Sequence, residues 1–309
     1  MAQRRVIFIS YVRTVTGDIP SSQLGITLPH EHILTGFNEQ GVQPGDYDVA
    51  QVVSKMLPYL QELYAAGARC LIECTPPFMG RDLVLLRKLS QASGLLLIGA
   101  TGAYKVPYLA DAIHTDSEEA IAARWIDEIE HGVDGIYPGF IKIAMEGTTP
   151  TEMERKVLRC AILASQATGL VIGVHCPGPA LWTAVCDLMP TAFPLERMIW
   201  IHGESAYWSG VEGKQGVLAA QRAGMWIEVD CIRPETYDIV QPLLTQLWTP
   251  GARLLISQDA GWYMVGEPER QVIAYAPLLT DFVPRLPGQM ARELTTVNPG
   301  QAFRVRTLV

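Results

Sequence analysis

The chain has 309 residues, 49% hydrophobic and only 18% charged, which excludes a disordered polymer. A net charge of −8 argues against a nucleic-acid partner, which normally meets a basic surface. Apolar stretches such as Gly94–Ala100 are far too short to cross a bilayer, so no membrane partner is expected.

In chain order, Arg4 and Arg5 precede the apolar run Val6–Ile9, in faint imitation of a signal peptide. The run is short, and Arg13 follows before any small-residue cleavage site. It is read as a strand entering the fold, with the protein expected in the cytoplasm. Eight later runs have the character of buried parallel strands, each short, apolar and near Gly or Pro: Gly25–Ile33, Arg69–Thr75, Leu95–Thr101, Gly139–Ala144, Leu170–Cys176, Met198–Gly203, Met225–Asp230 and Arg253–Asp259. Helices are predicted at Asp48–Ala66, Asp82–Ala92, Thr151–Thr168 and Gly216–Ala223. The first carries Val52, Val53, Met56, Leu60 and Leu63 near helical spacing. Eight βα units in this length suit an α/β (β/α)8 TIM barrel, one domain over residues 1–309 with a short N-terminal strand segment before the barrel. A doubly wound sheet is the competitor, but no Gly-rich dinucleotide fingerprint follows the first strand. Long connections at Leu34–Pro44 and Gly102–Thr115 are candidate pocket walls. The six cysteines include no CxxC pair and are read as reduced, mostly buried thiols.

Four of the six histidines lie at or near the C-terminal ends of predicted strands: His30, His32, His175 and His202. Asp259 ends the eighth strand and Lys142 lies inside the fourth. In a parallel barrel these strand ends open on one face, so the six residues converge there. His30 and His32, at i and i+2 on a strand, point to the same side and can reach one metal. Glu31 points away, into a structural hydrogen bond. Lys142 stands between isoleucines on a buried strand, where an unpaired ammonium is costly. It is either an end-of-strand lysine reaching water or an acid, or an amine whose pKa nearby metal charge depresses. The neutral amine can take up CO₂ as a carbamate, an anionic ligand that can bridge a metal pair. Two divalent ions would then slightly outweigh the carbamate, Asp259 and a bridging hydroxide, leaving the positive charge that polarises a substrate oxygen. His175 and His202 are either core histidines bonded to backbone or ligands, and Asp259 either caps the next helix or binds metal. Their equivalent places in separate βα units favour the ligand reading. His114 and His131 sit in loop or helix-end positions and receive no role, and the Cys176 side chain is expected to face away from the barrel centre.

The sequence resembles the phosphotriesterase family of the amidohydrolase superfamily, and its phosphotriesterase-like lactonases in particular. The markers are Gly25-Ile-Thr-Leu-Pro-His-Glu-His32, Gly80-Arg-Asp82, Ala100-Thr-Gly102, Phe140-Ile-Lys-Ile-Ala144, Val174-His175, Ile201-His-Gly203 and Gln258-Asp259. The resemblance runs from Arg13 to Pro299. It implies a binuclear metal centre, usually zinc as isolated, with manganese, cobalt or iron as alternatives, and commonly a homodimer. His30, His32 and Asp259 would hold the more buried ion, His175 and His202 the more exposed one, and N6-carboxylated Lys142 would bridge them. Some relatives carry glutamate at the bridging position; this chain keeps lysine. The implied mechanism is attack by a metal-activated hydroxide, with Asp259 accepting its proton.

Substrate contacts are less defined. Tyr104 resembles the tyrosine that lactonase members place beside the metals, and is otherwise an ordinary wall aromatic. Trp262, in the short segment Ala260–Glu269, is a candidate apolar wall. Arg233, just after the seventh strand, either clamps a carboxylate or phosphate or simply faces solvent. Glu204, Tyr207 and Trp208 depart from the acidic stretch often seen after the sixth strand. The expected activity is hydrolysis of a small-molecule lactone or related ester, with side activity on phosphotriesters. The first alternative is hydrolysis of N-acyl amides or phosphorylated sugar lactones. The other class, a non-catalytic metal-binding barrel, leaves the buried lysine unexplained.

Overall fold

The computed structural model describes residues 10–188 and 193–306; the expected strand at Val6–Ile9 lies outside them. An antiparallel hairpin comes first, Tyr11–Thr14 against Gly17–Pro20. Eight parallel strands then follow one another in sequence order around a barrel. They are β1 (Thr27–Thr35), β2 (Cys70–Glu73), β3 in two pieces either side of Gly99 (Leu96–Ile98 and Ala100–Gly102), β4 (Phe140–Ala144), β5 (Ile172–His175), β6 (Met198–Ile201), β7 (Trp226–Val229) and β8 (Leu254–Ile256). The chain after β8 closes the ring on β1: Asp259 N–H donates to the His30 carbonyl at 3.2 Å and His32 N–H to the Ala260 carbonyl at 2.9 Å. Glu31 clamps this seam as expected. Its carboxylate accepts from Ser257 Oγ at 2.8 Å and from the Ala260 N–H at 2.6 Å.

Alternation along the strands divides the apolar residues between two cores. Cys70, Ile72, Phe140, Ile199 and Ile201 cluster with Val12, Leu24 and Phe303 inside the barrel, on the side of the hairpin and C-terminal turns. Leu71, Ile141, Ile143, Ile172 and Val174 join the larger cluster between strands and helices. Helix α1 (Val49–Ala65) shows how that shell forms. Asp48 caps it, and it buries Val52, Met56, Leu60 and Leu63, each a burial of about 1.5–3 kcal/mol.

Besides α1, two helices match expectation within a residue, α2 (Leu83–Ser93), capped by Asp82, and α5 (Glu152–Thr168), opened by a Thr151–Glu154 capping box. Between them lie α3 (Asp111–Thr115), inside the expected Gly102–Thr115 loop, and α4 (Glu118–His131), which was not foreseen. After them come α6 (Ala180–Leu188), α7 (Gly203–Trp208) and α8 (Val211–Arg222). The predicted Gly216 start of α8 is corrected by five residues, because Gly213 and Gly216 are packing residues here. A side chain at Gly213 would strike the Ala206 carbonyl, and Gly216 packs against Trp182. Helix α9 (Tyr237–Leu247) also went unforeseen; it tolerates Pro242 in its interior. The segment after Asp259 is more than a loop, since Gly261–Met264 adds a parallel strand beside β1. No helix among the described residues is long and apolar enough to cross a membrane.

Candidate metal centre

The six residues expected to converge do so. His30, His32, Lys142, His175, His202 and Asp259 all line one cavity of about 40 Å³ at the C-terminal ends of the strands, with Tyr104 and Trp262 in its wall. That volume admits one or a few atoms of the size of water.

Each of three imidazoles is held from behind by one nitrogen and turns the other inward. Nδ1 of His30 lies 3.1 Å from Asp230 Oδ2, and Nδ1 of His202 lies 2.6 Å from Asp230 Oδ1. Burial would raise the Asp230 carboxyl, but His202 and His30 outweigh it and hold it well below the usual range. Asp230 is therefore an ionised acceptor, and both rings carry their hydrogen on Nδ1. His32 is fixed by a relay. Thr75 Oγ1 donates to Glu73 at 2.5 Å, so it accepts from His32 Nδ1, which lies 2.8 Å away. The inward Nε2 atoms of His30 and His32 lie 3.7 Å and 3.3 Å from Asp259 Oδ1. Nε2 of His202 lies 2.8 Å from Nδ1 of His175.

The charges suit this arrangement. Burial, with the Lys142 ammonium second, lowers the His30 imidazole to about 4, and burial also lowers His32 and His175, so the rings stay neutral. Burial alone would raise Asp259, yet His30 and His32 hold it down at about 2. Asp259 Oδ1 is itself buried without a hydrogen-bond partner. A buried, ionised oxygen with no donor, facing two neutral ring nitrogens that are oriented from behind, is the donor set a divalent cation fits.

Lys142 is 1% exposed. Its register partners on both neighbouring strands are glycines, Gly102 and Gly173, so neither strand contributes a side chain beside it. Among the described residues its ammonium makes no ion pair, although its charge reaches the buried Glu228 carboxyl, which burial raises and Lys142 partly lowers. Two of the six residues sit on left-handed backbone, His202 at φ 63° and Asp259 at φ 53°. Such strain costs of order 1–3 kcal/mol per residue and is characteristic of functional sites.

Of the remaining residues, the Tyr104 hydroxyl lies 3.5 Å from His175 Nε2, and the Trp262 ring packs 4.1 Å from the His32 ring, tilted 36° to it. Arg233 does not reach the small cavity; it lines a neighbouring one with Asp259 and Trp262. Cys176 turns away as expected, its thiol directed to the Gly178 carbonyl at 3.0 Å. His131 is exposed and pairs with Asp127. Sequence reasoning missed the roles of Asp230, Thr75 and Glu73. Asp230 had a signal, since it follows β7 as His202 follows β6.

The phosphotriesterase family model matches residues 10–181, more than half of the chain. The chain belongs to the phosphotriesterase family. The chain is 32% identical over 158 residues to the phosphotriesterase homology protein of Escherichia coli (strain K12), covering 49% of this chain and 52% of that protein, about half its length. It is 29% identical over 271 residues to the N-acetyltaurine hydrolase of Salmo salar, covering 73% and 72%. Among solved structures, a mutant organophosphorus hydrolase from Deinococcus radiodurans superposes with a TM-score of 0.80 at 26% identity, over 94% of this chain and 97% of that one. A mutant PTE-like lactonase from the same organism gives 0.79 at 25% identity, over 94% and 99%. These full-length likenesses are of phosphotriesterase-type barrels, in agreement with the closed ring of β1–β8.

Proposed function

We propose that this family member is a metal-dependent hydrolase of small molecules, opening lactones or cleaving related esters, with side activity on phosphotriesters. The observation that carries the reading is the convergence of six side chains, carried on or just after five different strands, on one small cavity, with the Asp259 carboxylate oxygen Oδ1 left without a hydrogen-bond donor among them. His30, His32 and Asp259 would hold one divalent ion, His175 and His202 the second, and Lys142 as a carbamate would join them. Its burial between glycines and the absence of an ion pair to it among the described residues support that role. When bound, the metal pair supplies Lewis acidity toward a substrate oxygen and a water that ionises near neutral pH.

The chain's own groups supply the rest. Asp259, ionised at neutral pH, accepts a proton from the attacking water at its carboxylate. Burial pushes the Tyr104 phenol up, so it keeps its proton and donates to a substrate oxygen. Trp262 and Phe37 form an apolar wall that excludes water from the reacting centre.

A second reading, hydrolysis of N-acyl amides, is favoured by the relatives named N-acetyltaurine hydrolase, which align over 72–73% of this chain. A panel of lactones, carboxyl esters, phosphotriesters and N-acyl amino acids on zinc-loaded protein tests both. Lactone or ester turnover supports the first reading and amide turnover alone the second; turnover of none overturns both.

A further inference from the structure

Three of the four candidate imidazoles have an acceptor fixed behind them, Asp230 for His30 and His202 and Thr75 for His32. His175 differs. Its Nδ1 lies 2.8 Å from Nε2 of His202. His202 carries its hydrogen on Nδ1, toward Asp230, so its Nε2 is a bare acceptor. The hydrogen between the two rings therefore belongs to His175 Nδ1. An ion shared by these rings is held by the same two facing nitrogens. To bind it, a neutral His175 must carry its hydrogen on Nε2 instead. A ligating imidazole then needs an acceptor for that outer N–H.

Glu146 offers that acceptor. Its Oε1 lies 3.9 Å from His175 Nε2. The loop after β4 presents it there, since the Met145 N–H donates to the His175 carbonyl at 2.7 Å and the Glu146 N–H to Glu154 at 2.7 Å. Glu154 itself is tied to backbone, its other oxygen accepting from the Thr151 N–H at 2.7 Å. The Tyr104 hydroxyl is 3.5 Å from the same His175 nitrogen, but a phenol oxygen is a weaker acceptor than a carboxylate. Glu146 also has a second suitor. Lys105, just past β3, is ion-paired to the same Oε1 and lies 5.2 Å from the centre of the Tyr104 ring. One half-exposed carboxylate oxygen thus stands between a lysine and a histidine, brought together from the C-terminal ends of β3, β4 and β5.

We infer that Glu146 is a positioning residue for the ion held by His175 and His202: it accepts the Nε2–H of His175 when that ring turns a bare Nδ1 to the ion, and Lys105 competes for the same oxygen. This rests on the metal-pair reading above. The ring stays neutral, giving one hydrogen from Nδ1 to water and taking one from water at Nε2, so no other reactant is needed. The two ions then differ in how they are kept. His30 and His32 are backed by buried groups, whereas His175 is backed by an exposed loop contact that a lysine can withdraw.

The test measures stepwise zinc affinity by chelator competition in the parent, Glu146→Ala, Glu146→Gln and Lys105→Met. Glu146→Ala should weaken the second ion about tenfold, the lower end of the range for outer partners, and leave the first at the parent's affinity. Glu146→Gln, which keeps an acceptor oxygen, should fall between. Lys105→Met should tighten the second ion several-fold, because it releases the oxygen to His175. A salt bridge that merely joins two loops predicts the reverse, with Lys105→Met loosening the ion as Glu146→Ala does. A general charge effect would reach both ions and fade near 1 M salt, where the Debye length is about 3 Å; the hydrogen bond persists there. Ring-nitrogen NMR supplies a readout independent of affinity. Zinc-loaded parent should carry the His175 hydrogen on Nε2, and that hydrogen should exchange faster in Glu146→Ala. A His175 hydrogen still on Nδ1 in the loaded parent, or a loosened second ion in Lys105→Met, overturns the inference. A parent that holds two ions, with Glu146→Ala equal to it, overturns the inference alone. A parent that never takes a second ion overturns the metal-pair reading and the inference with it.

Discussion

The Asp230 carboxylate lies 2.6 Å from Nδ1 of His202, and its other oxygen reaches Nδ1 of His30 at 3.1 Å. One buried acid thus fixes the tautomer and ring angle of a candidate ligand to each ion. Asp230→Ala is expected to weaken zinc binding about 10- to 100-fold, as loss of such outer partners typically does. Asp230→Asn, which keeps one acceptor oxygen, should fall between. Competition dialysis with a zinc chelator reads the affinities. Affinity equal to that of the parent would show that the acid orients nothing.

The His30 imidazole should stay neutral in the metal-free protein until about pH 4, because burial and then the Lys142 charge disfavour its protonated form. Between the ordinary value of 6.5 and about 4, the unfolded chain binds a proton at His30 that the folded chain does not. This group's contribution to stability is therefore complete above about pH 6.5 and is lost as the pH falls toward 4. Glu31, pushed up to about 8 by burial, works in the opposite sense, so whole-protein stability mixes the two. A ring-nitrogen NMR titration isolates His30. A midpoint near 4 is expected, and one near 6.5 would contradict the buried, neutral ring.

Much of this was legible in the sequence because barrel geometry does the assembling. Seven of the eight strands fall within two residues of their expected ends, since each buried run is bounded by Gly, Pro or charge; the eighth stops at Ile256, three residues short of Asp259, which lies in the following turn. The six converging residues were found because parallel strands bring their C-terminal ends together whatever lies between. What escaped was information held in tertiary contacts. Asp230 looks like any strand-end acid until its partners from β1 and β6 are in place. Gly213 and Gly216 read as a late helix start because the groups they pack against, Ala206 and Trp182, are not visible in the local pattern. Arg233 was noticed, but its lack of a partner is a property of the folded loop.

Gly102 is the register partner of Lys142, at φ 113°, and a side chain there would collide with the Lys142 backbone carbonyl. Gly102→Ala combines a left-handed penalty with displacement of the strand that carries the lysine. It should cost about 2–4 kcal/mol in urea unfolding and reduce turnover with it. A cost under about 0.5 kcal/mol, the range of an ordinary surface change, would show that the strands tolerate the extra atom.

Trp262 holds φ 75° while its indole N–H donates to the Asp259 carbonyl at 2.8 Å and its ring packs at a tilt against His32. Removing the ring should raise KM roughly tenfold by taking away one wall of the pocket. The two simplest replacements separate wall from backbone. Trp262→Gly should be more stable than Trp262→Ala by about 1 kcal/mol, because glycine adopts this backbone without strain. Equal thermal and urea midpoints would mean that the left-handed turn stores no strain.

The most direct measurement is metal content against activity for the parent and Lys142→Ala, by elemental analysis of zinc-loaded, dialysed protein assayed on the best substrate of the hydrolysis panel. The parent is expected to retain about two ions per chain, the number that a bridged pair requires. The variant should lose at least one of them, and most of its turnover with it. A metal-free parent that remains fully active, or a Lys142→Ala protein with undiminished metal and rate, would contradict a centre built on this lysine.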